Sequence, residues 1–172
     1  MSDNLDIADL RREMIGDYLK SRDLRFLRYE DGDFAVRFRW GKRKVDFIIG
    51  TDETGAMLWF EGMTSTTFLL KQMPVLLLVT NEYMLTHRWP RLKIAIDNDE
   101  ASIVSDGHLG MFDSLEECEV ARFLDSGIGA TEQFWEEFSL PDVDSRHVGS
   151  ISELPPSPLG DASGGIAFAG YL

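Results

Sequence analysis

The densest mix of reactive side chains in the chain lies in five residues, His87-Arg88-Trp89-Pro90-Arg91. A histidine beside two arginines has the chemistry for proton transfer or for gripping an anion. An enzyme built around His87 and Arg88 would draw carboxylates from other segments, with Asp97 and Glu61 as candidates. The same stretch also reads as a joint. His87-Arg88 would close a helix, where cations suit the helix dipole. Pro90 would stop that helix, Trp89 would plug the corner, and Leu92, Ile94 and Ile96 alternate as the inward side of a strand. Periodicity and breakers favour the joint, and that argues for a binding module over an enzyme.

Other chemistry is sparse. Zinc needs His, Cys or carboxylates at ligand spacing, and one cysteine with three dispersed histidines (His87, His108, His147) supplies no such set. The acidic run from Asp97 resembles a calcium loop until its fifth and sixth positions, where Ala101 and Ser102 stand instead of an oxygen ligand and glycine. A phosphate-cradling glycine loop and a G-x-S-x-G nucleophile turn are both missing from the sequence. Cys118 belongs to the first turn of a helix, but Glu116, Glu117 and Glu119 oppose thiolate formation. No catalytic residue, cofactor or metal is therefore assigned.

Charge bounds the partners. The chain of 172 residues carries a net charge of −13, which disfavours nucleic acid and anionic membrane surfaces. From Met111 onward there are 12 acidic and 2 basic residues, a net of −10, whereas residues 1–110 hold 18 and 15, a net of −3. Seven basic residues crowd the first two strands and the loop after them. Arg37 and Arg39 alternate with core-facing aromatics, so stacking on nucleic-acid bases is disfavoured. Arg25, Arg37, Arg39 and Arg43 are instead the expected contacts to an acidic protein segment. The single cysteine and the charged N-terminus fit a cytoplasmic protein. The most apolar run, residues 68–80, is interrupted by Lys71 and Pro74 and is too short for a membrane span.

These residues sit on a legible series of elements. An N-terminal amphipathic helix, capped by Asp3 or Asn4, would turn Leu5, Ile7, Leu10, Met14, Ile15, Tyr18 and Leu19 inward. Two hairpins follow, turning at Asp31-Gly32-Asp33 and around Gly55, which gives four strands in meander order. A helix with Pro74 in its first turn is apolar around most of its circumference and is expected to be deeply buried. A two-strand hairpin turns at Asn98-Asp99-Glu100. A final helix is signalled by Ser114 and Glu117 as a capping box, with Gly127 and Gly129 as points of kinking or breaking. The fold class is α+β, with a domain over residues 1–140. Residues 141–172 form a Pro/Gly/Ser-rich tail whose apolar ending, GIAFAGYL, either docks or hangs free.

Three passages resemble the YbjN family of bacterial proteins: DGDFAVRFRW with VDFIIG, LLLVTNEYMLTHRWPRLKIAID, and DSLEECEVARFLDSGIGATEQFWEEF. The resemblance covers about residues 5–140. It implies a fold similar to type III secretion chaperones and a role in sensory-transduction regulation, and it brings no catalytic residues. The function expected is a non-enzymatic, regulatory or chaperone-like protein-binding module, acting on an unidentified protein partner and with homodimerisation open. An enzyme around His87 and a nucleic-acid binder using the basic hairpin are the alternatives.

Overall fold

The computed structural model describes residues 6–41, 43–110, 116–138 and 167–168. A helix, α1 (Ile7–Ser21), leads into β1 (Phe26–Arg28), β2 (Phe34–Trp40), β3 (Arg43–Thr51) and β4 (Met57–Thr64). After the two-residue β5 (Phe68–Leu69) and a single 3-10 turn come α2 (Met73–Thr86), β6 (Arg91–Asp97) and β7 (Glu100–Gly110). Then follow α3 (Glu117–Glu137) and β8 (Ala167–Phe168).

The two expected strand groups join into one antiparallel sheet in the order β1-β2-β3-β4-β7-β6-β8, with β5 added beside β7. The seam is the β4–β7 ladder, running from Met57 opposite Gly110 to Met63 opposite Val104. After α2 crosses the sheet, the hairpin returns with β7 inward, and β6 is left outside.

Alternation fixes which side carries the core. Phe34 and Val36 of β2, Val45, Phe47 and Ile49 of β3, and Leu58 and Phe60 of β4 are buried on one face. Each fully buried phenylalanine contributes about 2–3 kcal/mol by removal from water. All three helices pack on that face. Gly16 of α1 lies against Phe34, Gly127 of α3 lies under Phe60, and α2 meets α3 where Tyr83 touches Phe134. Trp89 plugs the corner before β6, its ring edge-on to Phe60 and 5.5 Å from Phe123.

Several local expectations are corrected. The buried stripe of α1 runs through Ala8, Arg11, Ile15, Tyr18 and Leu19, leaving Ile7 and Leu10 exposed. The helix is turned this way because the β3–β4 loop packs on Ala8 at Gly55, and Tyr18 donates a 2.8 Å hydrogen bond to Asp125 of α3. Asp6 occupies the N-cap, and residues 3 and 4 lie outside the described residues. α2 is buried on one side only, through Met73, Leu76 and Thr80, while Leu78 and Leu85 are 62% and 79% exposed. As the helix next to the sheet's last long strand, it has neighbours on too few sides to bury its whole circumference. α3 runs unbroken through Gly127 and Gly129 and is capped by Glu116 with Glu119. The Ser114 cap falls outside the described residues, as do residues 141–166 of the tail. Within the apolar ending, Ala167–Phe168 pairs with Ile96 and Ala95 of β6.

Candidate binding surface

Among the described residues every helix lies on one side, and the opposite face of the sheet carries none of them. Residues alternating out of phase with the core define it: Ala35 and Arg37 on β2, Asp46 and Ile48 on β3, Glu61 and Met63 on β4, and Asp106 and His108 on β7. Two features stand out on this face.

The first lies at its β1 end. An open depression of about 470 Å³ is lined by Leu27, Tyr29, Ile48 and Met63, with Arg25 and Arg37 at its rim. Leu27 is 69% exposed and Tyr29 47% exposed. β1 is the terminal strand of the sheet, so the backbone groups of its outer side are unpaired by any strand among the described residues. The strand is only three residues long because Tyr29 N–H and Gly32 N–H turn back onto Asp33 and Tyr29 carbonyls, with Gly32 at φ +95°.

The four arginines expected to act together are divided. Arg37 holds Asp46 with two bonds, at 2.5 and 2.8 Å, yet its side chain stays 66% exposed. That clamp fixes the guanidinium at the rim of the depression. Arg25 lines the same depression, and Arg39 is exposed one alternation further along β2, opposite Lys44. Arg43 is different. It lies over the rings of Trp135 and Phe138, 5.1 and 5.7 Å from their centroids, and donates to the Trp135 carbonyl. It anchors the end of α3 on the core side.

The second feature is a charge cluster in mid-sheet that sequence reasoning missed. Asp106 is fully buried. Its Oδ2 accepts from Lys93 Nζ at 2.9 Å and from Arg91 at 3.2 Å, and lies 3.0 Å from His108 Nε2. Lys93 also reaches Glu61 at 3.4 Å. These residues come from three strands, so only the register unites them. The signal in the sequence was alternation, which puts Asp106 and His108 on one face. Among the described residues, Oδ1 of Asp106 has no hydrogen-bond partner.

The alternative enzyme constellation does not assemble. His87 stacks on Tyr83 at 4.2 Å and lies 2.9 Å from the Thr86 hydroxyl, at the end of α2. Asp97 sits at the other end of β6, about 20 Å along the strand from Arg91 at ~3.3 Å per residue, and accepts from Asn98. Glu61 belongs to the mid-sheet cluster. Cys118 is exposed and donates to Glu116, whose hydrogen bond leads in holding the thiol pKa up. The thiol is therefore kept protonated, as the surrounding glutamates foretold. Among the described residues no group of His, Cys, Asp and Glu is placed to hold a metal, and no helix is long and apolar enough to cross a membrane.

Residues 11–140 match the model of the YbjN family, described as a putative bacterial sensory transduction regulator. The chain belongs to that family. Its fold is similar to the crystal structure of YbjN, a putative transcription regulator from E. coli, at a TM-score of 0.52 and 10% identity. That likeness covers 71% of this chain and 92% of the other. No curated protein matches the sequence. The family description is of regulators.

Proposed function

We propose that this YbjN-family protein is a non-enzymatic regulator that binds an extended segment of another protein at the β1 end of the helix-free sheet face. The observation that carries the reading is the depression beside an open strand edge, with exposed Leu27 above Ile48 and Met63. A strand laid along β1 would complete its backbone hydrogen bonds and place alternate side chains into the depression. Arg25, Arg37 and Arg39 give the surroundings a positive sign in a chain of net charge −13, which favours a segment carrying acidic residues around an apolar one. Arg43 is committed to α3, so the basic residues of the hairpin divide between two faces. That division supports a protein ligand over nucleic acid, which needs one continuous basic track.

The test is binding of peptides selected from a random library on the full chain. They are expected to join acidic to apolar residues, and Leu27→Asp should weaken them about tenfold or more, some 1.4 kcal/mol. Selected peptides that bind Leu27→Asp as tightly as the parent would refute the proposal.

A further inference from the structure

The backbone of β1 fixes what a strand laid against it would meet. Tyr29 N–H donates to the Asp33 carbonyl at 2.8 Å, and the same register sets Leu27 opposite Ala35 and Arg28 opposite Phe34. In an antiparallel ladder, alternate residues turn both of their backbone groups toward the neighbouring strand. Leu27 and Tyr29 therefore direct theirs to β2, and Phe26 and Arg28 aim theirs at the open edge. No strand lies beyond β1 among the described residues. Side chains follow the same alternation. Arg25, just before the strand, and Leu27 stand at the depression on the helix-free face. Phe26 and Arg28 stand on the core side. Phe26 is half-buried and edge-on to Phe34, and Arg28 is exposed and 5.4 Å over the same ring. Arg37 is tied to Asp46, but neither Arg25 nor Arg28 has an ion-pair partner among the described residues. The edge thus presents Arg25-Phe26-Leu27-Arg28, an apolar pair with a cation at each end.

We propose that the partner segment carries a run of four residues in the order acidic, apolar, apolar, acidic. Its acids lie opposite Arg25 and Arg28, and its apolar pair lies opposite Phe26 and Leu27. This inference rests on strand addition at β1 and adds the order of residues that the edge selects. Unlike charges facing across strands, and apolar side chains facing apolar ones, are the pairs that stabilise a sheet. One acid and one apolar residue of the run fall on each face, so acids confined to one face would leave an arginine unmatched. Because the edge reads alike from both ends, the run is the same for a strand laid in either direction. A segment with basic ends meets like charge at both positions and is refused.

The test is fluorescence anisotropy on the full chain with labelled peptides of one composition in two orders. One is centred on Glu-Ile-Val-Glu and the other on Ile-Glu-Glu-Val, each flanked by Gly and Ser. The first should bind about tenfold or more tighter, since the second sets its acids against Phe26 and Leu27. Arg25→Glu combined with Arg28→Glu should weaken the first peptide by a similar factor and strengthen one centred on Lys-Ile-Val-Lys. Both side chains are exposed, so Tm should stay within about 2 °C. Leu27→Asp separates the two claims. Binding of the first peptide that is absent, or insensitive to Leu27→Asp, refutes strand addition at β1 itself. Binding that requires Leu27 but ignores both the residue order and the charge reversal overturns the four-residue run alone.

Discussion

Two glycines of α3, two positions apart, should respond to alanine with opposite signs. Gly129 is exposed, and a Cβ there meets nothing within 4 Å. Gly129→Ala should therefore return the helix-propensity gain of about 0.8–1.0 kcal/mol, or about 2–4 °C in Tm. Gly127 earns the same gain, but its Cβ would overlap Phe60, with Cζ only 2.5 Å away where ordinary contact begins near 3.4 Å. The ring must retreat by nearly an ångström, and it has nowhere to go. Phe47, Phe123 and Trp89 hold it at 5.8, 5.5 and 5.6 Å, and Gly107 presses on it from β7. Overpacking of this kind costs about 1–3 kcal/mol. Because the propensity term is common to both variants, their difference isolates that cost. Urea unfolding followed by tryptophan fluorescence should place Gly127→Ala about 1–3 kcal/mol below Gly129→Ala at unchanged m. Equal stability of the two would refute the packing of α3 against Phe60.

Three further outcomes are expected. Burial first, and then Asp31, raises the Asp33 pKa to about 6, with Arg12 opposing. A carboxyl raised in the folded state contributes stability below its unfolded value of 3.8 that is lost as the pH climbs through about 6. Asp33→Asn should flatten that slope and gain on the order of 1 kcal/mol at pH 7 after solvent screening, and an unchanged pH profile of chemical denaturation would oppose this. Thr131 Oγ1 is buried, donates to the Gly127 carbonyl at 2.8 Å and lies 2.9 Å from Ser105 Oγ. Thr131→Val should cost about 0.5–1.5 kcal/mol through the lost hydroxyl bonds, since Ser105 Oγ keeps its bond to the Gly62 carbonyl at 3.2 Å, and a neutral result would show the hydroxyl pair to be idle. Arg37→Glu should weaken the selected acidic peptides and leave Tm within about 2 °C, since exposed ion pairs such as that with Asp46 contribute little; a large fall in Tm would mean that Arg37 is structural.

The scaffold was readable where one period and one breaker coincide. Phe34-Val36-Phe38-Trp40, Pro74 at the start of α2 and Pro90 before β6 each carry a local rule, and the elements follow them. Rotation and burial are not local. α1 turns Ala8 and Arg11 inward because of a loop some 45 residues away in sequence, and α2 exposes leucines because of its place near the sheet edge. The surface was only partly legible. Alternation set Arg37 and Arg39 outside, but whether a strand's neighbour is present depends on sheet order. Arg43 looked equivalent to them until Trp135 and Phe138, more than 90 residues later, closed over it. Asp106 gave no sign of burial, since Arg91 and Lys93 reach it only through the β6–β7 register.

The central claim is the place of binding, and residue-resolved NMR on the full chain with a selected peptide tests it most directly. The account predicts amide perturbations gathered at Leu27, Ala35, Ile48 and Met63, with Arg25 and Arg37 at the margin. Perturbations gathered instead on α1 and α3, or along β6, would contradict it.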